Sequence, residues 1–119
     1  MARAVILFGH GSRDPLWRLP METVAARLRS QHPDVAVRCA YLELDAPDLA
    51  TAAADVIAGG AERVTILPMF LGTGRHARED LPVLLRTLQA SHPHVAFVLQ
   101  KAVGEDARVL DLIAKIALE

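Results

Sequence analysis

Apolar, β-branched runs alternate strictly with stretches of helical spacing along this chain, and that alternation restricts the folds open to it more than any other feature. Ala4 to Phe8 is an apolar run ended by glycine. Leu16 to Ser30 follows with Leu16, Leu19, Val24 and Leu28 at roughly helical spacing, and Pro20 puts the start of the helix proper near itself. Val35 to Leu42 is alternating and β-branched, Leu49 to Ala58 is alanine-rich and helical, and Gly59-Gly60 stops it. Val64 to Leu71 is another buried-type run, in which Pro68 fits a bulge or a strand about to become a loop. Ala77 to Ala90 is helical by pattern, Val95 to Leu99 strand-like, and Ala107 to Leu118 helical. The right-handed crossover rule turns this βαβαβαβα order into a parallel sheet with helices on both faces. The expected fold is α/β, a flavodoxin-like single domain over residues 1–119 with its four strands in the order 2-1-3-4.

Length and composition agree with one such domain. With 119 residues, 52% of them apolar, the chain can bury a single core but not two. Thirteen basic residues balance fourteen acidic ones, with no block of like charge to track nucleic acid or an anionic membrane, so neither is an expected partner. Cys39 is the only cysteine, which excludes an intrachain disulfide and a cysteine-rich metal motif and suits a reducing cytoplasm. The opening Met1-Ala2-Arg3-Ala4 leads into a run too short for a signal h-region, and no stretch approaches the ~20 apolar residues of a membrane span. A soluble, unprocessed, cytoplasmic protein is expected.

The chain also echoes itself. Leu28-Arg29-Ser30-Gln31-His32-Pro33-Asp34-Val35-Ala36 resembles Leu88-Gln89-Ala90-Ser91-His92-Pro93-His94-Val95-Ala96, and Ile6-Leu7 falls on Ile66-Leu67 at the same offset. Duplication of a βαβα unit, joined near residue 60, would account for this; so would two similar helix-to-strand turns.

Two histidines stand out against this frame. His10 lies in Gly9-His10-Gly11-Ser12-Arg13 after the first strand, and His76 lies in Leu71-Gly72-Thr73-Gly74-Arg75-His76 after the third. In strand order 2-1-3-4 the ligand crevice opens between strands 1 and 3, so both imidazoles should flank it. Glu43, after strand 2, could add a carboxylate to the same rim. Two imidazoles and a carboxylate suit cobalt, iron, nickel or zinc better than magnesium or calcium. His76 falls at a helix start, whose dipole disfavours an imidazolium and so favours a ligand or base. Gly72-Thr73-Gly74 would let backbone approach a ligand closely, and Arg13, Arg75 and Arg78 offer forks for carboxylates.

Each feature also has a plainer explanation. A lone histidine or Glu43 in a loop is more often solvated than liganded, and glycine loops usually only turn the chain. Gly9-His10-Gly11 lacks both dinucleotide spacing and a P-loop lysine. His32, His92 and His94 should be solvated turn residues at the opposite sheet edge, Cys39 a small buried apolar residue, and Trp17 and Tyr41 packing residues of core or rim. It is the joint placement of His10 and His76 that favours a metal site.

At this point the chain resembles a family, the short-form CbiX chelatases, small class II relatives of the sirohydrochlorin cobaltochelatases and ferrochelatases. The resemblance covers nearly the whole length through Leu7-Phe8-Gly9-His10-Gly11-Ser12-Arg13, Tyr41-Leu42-Glu43, and Leu67-Pro68-Met69-Phe70-Leu71 leading to His76-Ala77-Arg78-Glu79-Asp80-Leu81-Pro82. It implies that His10 and His76 bind the metal, that His10 also accepts protons, and that Glu43 assists with the metal or the pyrrole protons. It further implies that the loop from Leu71 to Arg75 borders a tetrapyrrole, and that Gly11, Ser12, Arg13 and Arg78 belong to the substrate surface. Such enzymes insert Co2+ or Fe2+ into sirohydrochlorin without ATP or any other cofactor, in cobalamin or sirohaem synthesis; Ni2+ and Zn2+ are ions the same ligands accept. The chain lacks the second lobe, histidine-rich tract and cysteine-bearing tail of larger members, which implies a homodimer with two lobes facing each other across the macrocycle. Gly72-Thr73-Gly74-Arg75 varies from the commoner Ala-Gly-Gly-type loop. A non-catalytic metal or tetrapyrrole carrier would use the same crevice. A histidine phosphatase fits less well, because that family sets arginine before its histidine and here Gly9 stands there.

Overall fold

The computed structural model describes residues 2–119. Strands β1 (Arg3–Gly9), β2 (Ala36–Tyr41), β3 (Arg63–Pro68) and β4 (Ala96–Leu99) alternate with helices α1 (Leu19–Gln31), α2 (Leu49–Ala58), α3 (Arg75–Ser91) and α4 (Ala107–Leu118), with a 3-10 turn at Val103–Glu105. All strand pairs are parallel and the order is β2-β1-β3-β4, as the alternation predicts. Strand β1 is central, pairing with β2 from Ala4↔Ala36 to Gly9↔Tyr41 and with β3 from Arg3↔Arg63 to Phe8↔Pro68.

The period of 2 along β1 sorts its side chains between two cores. Ala4, Ile6 and Phe8 join Val64, Ile66, Ala52, Ala53 and Leu81 beneath α2 and α3. Leu7, with Val5, meets Val37, Met21 and Ala25 beneath α1. Ile6, Leu7 and Phe8 are fully buried because helices lie over both faces of β1. Cover on the α1 side stops there: α1 packs on β1 and β2, and α4 has no buried residue.

Boundaries differ from expectation for local reasons. Strand β3 stops at Pro68 instead of Leu71, because proline has no N–H to continue the ladder. Helix α1 begins at Leu19 and not Leu16, with Pro20 in its first turn. Helix α3 starts earlier than Ala77, at Arg75, because Gly74 takes the extended N-cap conformation. The two echoed segments fold into the same turn: His32 and His92 each close a helix, donating N–H to Leu28 and Leu88, and each accepts from the N–H of Val35 or Val95. His32 and His94 are exposed as expected, whereas His92 is half-buried against Phe97, ring centroids 6.2 Å apart. Cys39 is half-buried and not fully enclosed, and burial pushes its thiol pKa up.

Helix α2 carries a side-chain cap that fixes its entry. Asp48 Oδ1 accepts from the Thr51 N–H at 2.8 Å, and hydrogen bonding from Thr51 holds the carboxyl below its ordinary value of 3.8. Asp48→Ala should therefore lower stability by about 1 kcal/mol. The folded value lies below the unfolded one, so this contribution is fully present above the ordinary carboxylate value and is lost as pH falls through the lowered one. Urea denaturation of both proteins should show the gap at neutral pH and its closure in strong acid.

Candidate metal and tetrapyrrole site

The site is built at the carboxyl edge of the sheet, where β1 and β2 keep pairing after their strands end. Leu42 N–H donates to Gly9 at 2.9 Å and Glu43 N–H to His10 at 3.1 Å, so the two loops leave the sheet side by side. That brings the His10 Nε2 within 4.0 Å of Glu43 Oε1, with both side chains more than half exposed. The His10 ring stands edge-on to Phe70, centroids 5.7 Å apart, which steers the imidazole from the β3 side. Gly11 makes the close approach possible. Its φ is +101°, and a Cβ there would overlap the Glu43 carbonyl.

A second tier holds this loop in place. Asp45, 11% exposed at its side chain, accepts from the Ser12 N–H at 2.9 Å and from Arg18 at 3.1 Å. Ser12 Oγ accepts in turn from Asp14 N–H, and Asp14 from Leu16 N–H. Arg18 also pairs with Glu22 at 3.1 Å. Trp17 packs on Tyr41 with centroids 6.2 Å apart and lies over Gly9, as the rim reading of these aromatics expects. Burial pushes the Tyr41 phenol up to about 12, so it stays neutral at ordinary pH.

His76 is exposed in the first turn of α3, across β1 and β3 from Glu43. Among the described residues no three His, Cys, Asp or Glu side chains converge closely enough to hold an ion. The chain thus brings His10 and Glu43 together and leaves His76 apart from them, on the first turn of α3 at the same edge. Arg13 is exposed, Arg75 pairs with Glu79 at 3.1 Å, and Arg78 donates to the Thr73 carbonyl at 3.2 Å. Gly72 and Gly74 have open space where a Cβ would be, and neither has positive φ, so the folded chain itself does not require glycine at either position. Around this edge stand apolar side chains in water, Leu16 at 68%, Leu71 at 67% and Leu44 at 55% exposed. Leu44 also holds φ 66°, a left-handed conformation unusual for leucine.

Sequence reading missed Asp45, Phe70 and Leu44. Asp45 had one available signal, an acid in a short strand-to-helix connection at the predicted crevice edge; the other two are set by loop conformations with no periodicity.

Comparison with known proteins agrees with this geometry. A family model described as CbiX matches residues 4–119. The sirohydrochlorin cobaltochelatase of Methanococcoides burtonii is 28% identical over 125 residues, covering 97% of this chain and 94% of its own length. That of Methanosarcina acetivorans is 28% identical over 118 residues, covering 93% and 91%. Among solved structures, a putative cobalamin biosynthesis CbiX protein from Marinobacter aquaeolei VT8 superposes with a TM-score of 0.83 at 31% identity, over 98% of this chain and 94% of that one. SirB from Bacillus subtilis subspecies spizizenii, solved in complex with cobalt, shares the fold at a TM-score of 0.82 and 22% identity, with this chain spanning 50% of it. The fold is the one these CbiX and SirB structures share. The chain belongs to the CbiX family.

Two glycine substitutions separate the demands of the fold from those of a ligand. Gly11→Ala should destabilise the protein by at least about 1–2 kcal/mol, the penalty for a left-handed residue with a Cβ, since Glu43 must also move. Gly72→Ala should leave the thermal midpoint unchanged while weakening tetrapyrrole binding, measured by absorbance titration.

Proposed function

We propose that this protein is a sirohydrochlorin chelatase, inserting a divalent ion, Co2+ or Fe2+, into the macrocycle without ATP. The observation that carries the reading is the exposed His10 imidazole with the Glu43 carboxylate 4.0 Å away, at the switch-point edge of a CbiX fold. The names of its relatives support the substrate, and SirB solved with cobalt and SirB from Bacillus subtilis with Fe3+ support the type of ion.

Metallation exchanges one divalent ion for two pyrrole protons. His10 and His76 hold the ion through neutral imidazole nitrogens, weakly enough to release it to the ring nitrogens. His10, with Glu43 beside it, then accepts the departing protons by general-base catalysis, and both side chains are open enough to pass them to water. Exposed Leu16, Leu44 and Leu71 offer apolar contact to the macrocycle face, while Arg13, Arg75 and Arg78 meet its peripheral carboxylates. Placing ion and ring together supplies much of the rate. The reading includes a homodimer, as the family resemblance implies for a single lobe, in which a second lobe closes over the ring. It also includes a cytoplasmic setting; among the described residues no helix is long and apolar enough to cross a membrane.

Anaerobic incubation of catalytic amounts of protein with sirohydrochlorin and Co2+ or Fe2+, followed by tetrapyrrole absorbance, should show multiple turnovers. A change that stops at protein stoichiometry would instead indicate a carrier. His10→Ala should lower turnover by at least about a hundredfold, the scale of a lost general base, and His76→Ala should lower it by removing an ion ligand, both with unchanged circular dichroism. Substantial turnover by both would overturn the assignment.

A further inference from the structure

Three of the four strands end in groups already placed at the carboxyl edge: β1 in His10, β2 in Glu43, and β3 in the loop that leads to His76. The fourth, β4, ends in Gln100 and Lys101, which have no part in that site.

The backbone that carries Lys101 is fixed on both sides. Gln100 N–H donates to the Ile66 carbonyl at 2.9 Å, which continues the β3–β4 ladder past the end of β4, and Ala102 is buried. Further on, Gly104 N–H donates to the Phe70 carbonyl at 3.0 Å, and a Cβ on Gly104 would overlap the Leu71 carbonyl. The connection after β4 is therefore seated against the same Phe70 whose ring borders His10. Lys101 itself is exposed, a flexible cation on a fixed root.

Lys101 lines an open cavity of about 310 Å³ on the side of the sheet that α3 covers. Leu81, Pro82 and Leu99 give it apolar walls, and Thr73, Arg78 and Gln100 line it with Lys101. Arg78 donates one N–H to the Thr73 carbonyl at 3.2 Å and has further N–H groups to offer. Among the described residues neither Arg78 nor Lys101 pairs with a carboxylate, in contrast to Arg75, whose charge Glu79 meets at 3.1 Å. Glu105 is the acid on the lining and is exposed, so the two cations leave the cavity positive. The Thr73 hydroxyl adds an unmet need, since its oxygen is enclosed and has no hydrogen-bond partner. Open space around Gly72 and Gly74 lets the loop turn that hydroxyl toward an oxygen in the cavity.

Helix geometry sets the cavity apart from the ion. Ala77, buried against the sheet, lies between His76 and Arg78, and at about 100° per residue these two stand on opposite flanks of the first turn of α3. Arg78 is on the β4 flank, with Leu99 and Lys101. A helix is about 10 Å across, a width that a tetrapyrrole centred on an ion at His76 covers with half its ring and one acidic side chain.

We propose that Lys101, with Arg78 and Gln100, forms a subsite for one peripheral carboxylate of the substrate, and that Lys101 is a specificity-determining residue for an acidic tetrapyrrole. This rests on the sirohydrochlorin reading and names a residue that recognises the substrate away from the ion. The ammonium and guanidinium donate charge-assisted hydrogen bonds to the carboxylate, Gln100 adds an amide N–H, and Glu105 opposes them by repulsion. A ring without acidic side chains gains nothing there.

Absorbance titration of the full chain with metal-free sirohydrochlorin reads the subsite without turnover. Lys101→Gln should raise the dissociation constant about tenfold, the scale of one lost charge-assisted hydrogen bond, and Lys101→Arg should keep most of the affinity. Glu105→Gln should lower the constant. Arg63→Gln, the same loss of charge at the opposite edge of the sheet, should leave it unchanged. With Co2+ present, Lys101→Gln should raise KM in the same proportion and keep the wild-type kcat. Unchanged binding by Lys101→Gln, or an equal loss in Arg63→Gln, would overturn the subsite. A wild type that binds sirohydrochlorin without turnover would overturn the proposed reaction and leave the subsite to stand on the titrations; a wild type that does not bind it would overturn both.

Discussion

The closeness of two backbones at one sheet edge, the Gly11 loop against the Glu43 carbonyl, is the constraint on which the site depends. Strand β1 is hydrogen-bonded along both edges and packed on both faces, so its end is fixed by the whole domain. The two backbone hydrogen bonds beyond the strands, at Leu42 and Glu43, extend that rigidity into the loops. His10 therefore projects from the end of a strand fixed on both edges and both faces, while its side chain stays about half exposed.

Electrostatics around the edge are arranged in tiers. Asp45 is the least exposed of the acids hydrogen-bonded there and holds the loop through Ser12 and Arg18. Glu43 is left free of such structural bonds and faces His10. One carboxylate builds the loop and the other stays exposed beside His10, a division set by burial and not by residue type.

Much of this was legible in sequence because the signals are local or periodic. Strand and helix alternation dictates a parallel sheet, and strand order follows from crossover handedness, so the placement of His10 and His76 at one edge could be derived without a structure. Family resemblance rested on residues that the fold does gather there. Phe70 and Leu44 were not legible, since each acts through a loop conformation that no period describes, and Asp45 offered only its place as an acid in the β2–α2 connection.

The order of elements and the alternation that divides β1 between two faces are written in the chain itself, because propensity and period act over a few residues. The tertiary structure decided what those residues meet: Glu43 as the neighbour of His10, Asp45 as the anchor beneath them, and the outward course of α4. Such contacts depend on where loops leave the sheet and how a tight turn seats against a distant segment, and these distances are set only when the whole fold has closed.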